Sequence, residues 1–187
     1  MNTLKTMLMA LALIAAPAAI HAQAPTEVPA AKATDLDQKY ATDLLKAGAD
    51  APDITLNTID GKPFALKDLR GRYVVLDFWA SWCPDCRRET PALKAIYQRY
   101  AGKGLQMAGI SYDTNRQAWQ QYLADNGMTW LQYSELRKWK KETTSDRLYH
   151  IDWIPTLYLI GPDGRVAVST VMIEKIERAL ADAYGDK

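Results

Sequence analysis

The chain has 187 residues, with 23 Lys and Arg against 22 Asp and Glu and a net charge of +1, so it lacks the basic excess by which nucleic-acid binders neutralise phosphates. Its 48% hydrophobic and 24% charged content excludes a disordered, collagenous or low-complexity chain, and its length suits one domain with an appendage. Two cysteines are too few for a disulfide-stapled scaffold, and two histidines leave little material for a histidine metal site.

Residues 1–22 read as a secretory signal peptide. Lys5 supplies the positive start, residues 7–16 form an uncharged apolar run, Pro17 breaks it, and small residues allow cleavage after Ala22 or Ala24. The run falls short of the about 20 apolar residues of a comfortable membrane span. An uncleaved N-terminal anchor is the alternative. No cysteine lies near the cleavage region to take a lipid. A secreted chain meets an oxidising compartment, periplasmic or otherwise extracytoplasmic.

Residues 23–48 read as a tether and short helix: an Ala/Pro-rich stretch, then Leu36, Tyr40, Leu44 and Leu45 at helical spacing, with Gly48 as the stop. The compact domain is expected over residues 49–187. Asp53 to Thr58 alternates apolar and polar, and Asp60-Gly61 signals a hairpin. Lys67 to Gly71 suits a short helical turn. Tyr73 to Phe78 is a buried-strand run, and Leu93, Ile96, Tyr97 and Tyr100 continue at helical spacing to Gly102. Leu105 to Tyr112 is a second buried strand, Asn115 to Asn126 a helix stopped by Gly127, and Thr129 to Tyr133 a short strand. Thr156 to Ile160 turns through Pro162-Asp163-Gly164 into Arg165 to Val171, and Ile173, Ile176, Ala179 and Leu180 face one way on a last helix. Strands separated by helices predict an α/β domain with helices on both faces of the sheet, and the final tight turn adds an antiparallel edge.

Cys83-Pro84-Asp85-Cys86 sits between strand and helix. A helix N-terminus offers partial positive charge and unpaired N–H groups, which favour a thiolate at Cys83. A thiolate is the nucleophile of disulfide exchange, and Cys86, one turn on, can resolve the mixed disulfide. Pro84 fits the first helical turn. Two plainer readings compete. A structural disulfide closing so short a loop is worth only about 2 kcal/mol, against about 3 for a fifteen-residue loop. Zinc needs four ligands, and only His150 remains beside the two cysteines once the signal is removed.

The segment from Val75 to Cys86, VLDFWASWCPDC, strongly resembles the thioredoxin active-site segment. Gly48 to Pro52, Asp60-Gly61-Lys62, Leu69-Arg70-Gly71 and Cys86-Arg87-Arg88-Glu89-Thr90-Pro91 together resemble the TlpA/ResA group of secreted thioredoxin-like proteins, over about Gly48 to the C-terminus. The resemblance implies a thioredoxin fold, a central mixed sheet flanked by helices with an N-terminal hairpin extension. It also implies thiol–disulfide oxidoreductase activity, which many relatives exert as reductants outside the cytoplasm, including in cytochrome c maturation. Ile154-Pro155-Thr156 resembles the family's cis-proline segment opposite the cysteines, where Ile154 would present its backbone to a substrate strand. Asp77 takes the position of the buried thioredoxin acid, with a pKa raised by burial, and is expected to exchange a proton with Cys86. Glu89 matches an acid of the TlpA/ResA group and is expected to tune the cysteines; a solvated acid in a first helical turn is its plainer reading.

Thioredoxins carry Gly-Pro between the cysteines; Pro-Asp stands here. The Asp85 charge opposes ionisation of Cys83 and therefore argues for a reductant. Of the six tryptophans, Trp79 is assigned to the core, Trp82 to the rim of the site and Trp153 to the substrate groove, while Trp119, Trp130 and Trp139 are read as packing residues. The expected site is thus Cys83, Cys86, Asp77 and Glu89 for chemistry and Trp82, Pro84, Ile154 and Pro155 for substrate, with no cofactor and no metal. The expected partners are a disulfide-containing protein and a membrane electron donor, with the protein itself a monomer. A peroxiredoxin-like thiol peroxidase and a copper carrier using Cys83, Cys86 and His150 are the rival functions; a lone peroxidatic cysteine is not visible, and the histidine spacing does not favour copper. Lys138 to Lys141 reads as a solvated basic face.

Overall fold

The structure is a computed structural model that describes residues 35–140 and 143–186. The signal peptide, its alternative as an anchor, and the tether up to residue 34 lie outside the described residues. In chain order, α1 (Asp37–Tyr40) precedes the hairpin β1 (Thr55–Asn57) and β2 (Pro63–Ala65), a 3-10 turn over Leu66–Leu69, β3 (Val74–Trp79), α2 (Pro84–Tyr100), β4 (Gln106–Ser111), α3 (Arg116–Asn126), β5 (Leu131–Ser134), α4 (Thr144–Leu148), β6 (Thr156–Ile160), β7 (Val166–Thr170) and α5 (Ile173–Tyr184).

The five-stranded sheet has the order β5-β4-β3-β6-β7. β3 lies parallel to β4 and antiparallel to β6, β4 is parallel to β5, and β7 is antiparallel to β6. This is the mixed sheet flanked by helices that the sequence predicts, with the hairpin β1–β2 as a separate two-stranded sheet. All six residues of β3 are buried, as a strand covered on both faces requires. Phe78 packs with the rings of Tyr112, Tyr149 and Tyr158, and Trp79 packs with Tyr122 of α3. Asn115 caps α3 by accepting the Ala118 N–H at 3.0 Å, and Gly127 ends it at φ +60°.

Two segments depart from the sequence reading. The first helix stops after one turn, because tertiary hydrogen bonds draw the chain out along β7. Tyr158 accepts the Leu45 N–H at 3.1 Å, Ser169 Oγ donates to the Leu45 carbonyl at 2.7 Å, and Gly48 and Ala49 exchange backbone bonds with Val166 at 2.8 and 2.9 Å. Ala41 and Leu44 are buried, so residues 35–48 pack as part of the domain rather than ahead of it. The second departure is α4, unassigned in the sequence because residues 135–148 are crowded with charge; Thr143 caps it by accepting the Asp146 N–H at 3.1 Å. Each outer strand is met by another segment, β7 at its start by the arm over residues 48–50 and β5 by a bridge between Thr58 and Tyr133, which shortens the exposed edges on which chains aggregate. Among the described residues no helix is long and apolar enough to cross a membrane.

Asp37 fastens the start of the arm. Its carboxylate accepts from Thr170 Oγ1 at 2.8 Å, from the Val171 N–H at 2.8 Å and from Lys175 Nζ at 2.6 Å. Asp37→Ala strands these donors and is expected to lower unfolding stability by about 1–3 kcal/mol, read as a lower urea midpoint at unchanged slope.

Candidate active site

β3 ends at Trp79 and α2 begins at Pro84, so Cys83 falls at the N-cap of α2 with an extended backbone. Its sulfur occupies the place of a capping oxygen: Sγ accepts the Cys86 N–H at 3.3 Å. Pro84 stands at the first helical position, where no backbone donor is lost. Both cysteines are free and buried, and the Cys83 thiol can donate to the Ile154 carbonyl at 3.7 Å. The Ile154–Pro155 bond is cis, and the Ile154 carbonyl faces the sulfur.

The two thiols are driven apart. A hydrogen bond from the Cys86 thiol, helped by the N–H groups of Cys86 and Asp85, lowers Cys83 to about 7 against its own burial. Burial first, then the hydrogen bond and charge of Cys83, push Cys86 far up, with the Asp77 charge adding to the effect. Asp85 opposes ionisation of Cys83, as the sequence reading held, but it is the weakest of these influences, and Arg88 pairs with its carboxylate. The Asp85 charge therefore does not decide the chemistry of Cys83; the bond from the Cys86 thiol does, with the N–H groups of the helix end adding to it.

Asp77, in the middle of β3, is 1% exposed, and neither carboxyl oxygen has a hydrogen-bond partner among the described residues. Burial raises its pKa well above the ordinary value, and the charges of Glu89 and Cys83 add to this. Glu89 is half-buried with Oε2 turned inward and without a partner among the described residues; burial and then the charges of Glu174, Asp85 and Cys83 raise it to about 8. It is not the fully solvated acid of the plainer reading. The structure thus gathers Cys83, Cys86, Asp77 and Glu89 about one helix end and one strand.

Trp82 is 51% exposed and Pro84 is exposed beside it, whereas Ile154 and Pro155 are buried. Trp153, next to the cis bond, stacks on Tyr40 of the arm with ring centroids 4.1 Å apart. His150 Nδ1 lies 2.9 Å from the Asp43 carbonyl, a bond that engages its ring with the arm. Among the described residues no group of three or more His, Cys, Asp or Glu side chains is arranged to hold a metal.

One support went unseen in the sequence. Asp113, just beyond β4, is buried and accepts from the Ser81 N–H at 2.9 Å, Ser81 Oγ at 2.6 Å and Ser111 Oγ at 2.6 Å. It fixes the loop that carries Trp82 and Cys83. The available signal was its place at the carboxyl end of a central strand, where α/β sheets build their sites.

Two outcomes follow from these shifts. Thiolate absorbance of the reduced protein should rise with a midpoint near pH 7 for one sulfur, Cys83, while Cys86 stays protonated, and Cys83→Ser should remove that step. Asp77 binds its proton more tightly folded than unfolded, so the parent loses stability as pH climbs through the ordinary carboxylate range toward the raised folded pKa. Asp77→Asn lacks that loss, and its urea midpoint should exceed the parent's by more at pH 8 than at pH 4.

Residues 47–169 match the AhpC/TSA family. The thiol-disulfide oxidoreductase ResA of Oceanobacillus iheyensis is 30% identical over 146 residues, 74% of this chain and 73% of the relative. That of Bacillus anthracis is 30% identical over 65% of this chain and 68% of its own. Among solved structures, the thioredoxin domain of a thiol-disulfide oxidoreductase from Bacteroides vulgatus superposes with a TM-score of 0.66 at 27% identity, covering 74% of this chain and 97% of that one. On these likenesses the chain belongs to the AhpC/TSA family and is a thiol-disulfide oxidoreductase of the ResA type.

Proposed function

We propose that the protein is an extracytoplasmic reductant of protein disulfides that acts in cytochrome c maturation. The observation that carries the reductant reading is the Cys83 pKa of about 7. A strongly oxidising pair requires a thiolate stabilised far below neutrality, and Cys83 is held only half-ionised there. The signal-like residues 1–22 and the resemblance to the TlpA/ResA group support secretion and the cytochrome c role.

In the forward reaction the Cys83 thiolate attacks a substrate disulfide, and one substrate sulfur leaves as a thiolate. Asp77 takes the proton of Cys86, and Cys86 then attacks Cys83. The Cys83–Cys86 bond forms as the mixed disulfide breaks, and two electrons have passed from the dithiol to the substrate. Asp77 is suited to this because burial raises its proton affinity well above that of an ordinary carboxylate, which brings it closer to that of a thiol. Glu89 adjusts the charge around the pair. The exposed Trp82 and Pro84 meet the substrate's surface, and Ile154 and Pro155 offer backbone to an extended substrate segment. A membrane electron donor returns the pair to the dithiol, and the protein works as a monomer.

Insulin reduction tests the core of this. The parent should reduce insulin, Cys83→Ser should not, and Cys86→Ser should accumulate a mixed disulfide with its client. Asp77→Asn should slow resolution of that intermediate on the order of a hundredfold. Equilibration with glutathione should give a reducing potential; a strongly oxidising one overturns the direction of electron flow, and peroxide consumption without disulfide reduction overturns the reading in favour of a peroxidase.

A further inference from the structure

Asp77 has two register neighbours, Leu157 on β6 and Gly109 on β4, and Gly109 pairs in turn with Gln132 on β5. Side chains of paired residues project to one face of a sheet, so Asp77, Gly109 and Gln132 form a row across three strands. Gly109 leaves the middle of that row without a side chain, and Gln132 fills it. A Cβ placed on Gly109 would lie 2.3 Å from Gln132 Oε1 and 2.9 Å from both Cδ and Nε2. Because β4 lies between β5 and β3, an amide over Gly109 has travelled toward Asp77. The backbone of Gly109 is not left-handed, so the glycine serves the space rather than the chain's conformation.

Both ends of the row are buried polar groups in need of partners. Gln132 is 5% exposed and Asp77 1%, and Gln132 Oε1 and Nε2, like both Asp77 oxygens, have no hydrogen-bond partner among the described residues. Buried polar atoms of this kind are costly unless satisfied, and the register sets the amide, lying over Gly109, next to the strand that carries Asp77. An amide is apt for a group that changes protonation: Oε1 accepts from the carboxylic acid and Nε2 donates to the carboxylate.

We infer that Gln132 is a positioning residue for thiol–disulfide exchange, its amide holding the Asp77 carboxyl through one bridging water so that the carboxyl can receive the Cys86 proton. This rests on the reading of Asp77 as the acceptor of that proton. The other titratable groups facing Asp77 come from α2, namely Cys83, Cys86 and Glu89, with Glu174 of α5 bearing on Glu89. The adjacent strands present only Gly109 and Leu157, and α3 presents Tyr122, whose hydroxyl lies 3.0 Å from that of Thr90.

The test is a carbon-13 NMR titration of the Asp77 carboxyl in the reduced protein, beside the pH profile of mixed-disulfide resolution. Hydrogen bonds to a charged group outweigh those to its neutral form, so Gln132→Leu should move the Asp77 midpoint up by about one pH unit and carry the resolution profile with it. Gly109→Ala, which keeps the glutamine but displaces its amide, should move both in the same direction; it guards against a Gln132→Leu protein that does not fold. In an Asp77→Asn background, Gln132→Leu should leave the resolution profile where Asp77→Asn alone puts it. An unmoved Asp77 midpoint in the folded variants overturns the inference and leaves the role of Asp77 intact. A moved midpoint with resolution indifferent to Asp77→Asn overturns instead the role of Asp77, and with it the relevance of Gln132 to the reaction.

Discussion

The chemistry of this protein depends on Cys83 Sγ lying at the start of α2, where the Cys86 thiol and then the Cys86 and Asp85 N–H groups bond to it. A helix beginning elsewhere by two residues would take those partners away from the sulfur. The position of that first turn is fixed from both sides. Upstream, β3 ends at Trp79 in the centre of the sheet, and Asp113 grips Ser81 in the connecting loop. Downstream, Pro84 is pre-shaped for a helical start, and Cys86, Thr90, Leu93 and Ile96 bury one face of α2. Ordinary packing thereby sets the ionisation of one atom.

The surroundings of that atom break the rules that the rest of the fold obeys. A carboxyl stands in the middle of a buried strand and a second turns an oxygen inward, and neither of these inward oxygens has a hydrogen-bond partner among the described residues. Such groups weaken a fold. The compensation lies in the surrounding fold: an aromatic cluster around Phe78 on the strand that carries Asp77, capped helices, and an arm and hairpin that bond to the two outer strands. The stability of these parts is what allows acids to remain buried where a thiol must give up its proton.

How much of this could be read from sequence follows from distance along the chain. The run from Tyr73 to Cys86 declares itself because apolar strand, motif and helix start are contiguous, and the Asp60-Gly61 turn and the Gly127 stop are local signals of the same kind. The cis peptide at Pro155 was expected from family resemblance; its residues alone do not distinguish it from a trans proline opening a strand. The arm is not legible locally, because Leu36, Tyr40, Leu44 and Leu45 keep helical spacing, while the bonds that pull the chain straight come from Tyr158, Val166 and Ser169, more than a hundred residues away. Asp113 and Ser81 meet across 32 positions, a pairing no local pattern announces. Asp77 was visible as an acid in an apolar run, whereas Gly109 and Gln132 become a pair only once three strands are in register.

That register binds two positions into a single unit of change. A methyl at position 109 and a full-length amide at position 132 claim the same volume, so neither can drift while the other stands still. Descendants of this chain that gain a larger residue at 109 must shorten or redirect the one at 132, and lineages that keep the long amide must keep the bare backbone beneath it. Across a deep set of related sequences the two columns should therefore covary, though 23 residues apart, because a side chain reaches across a strand to a place its neighbour left empty.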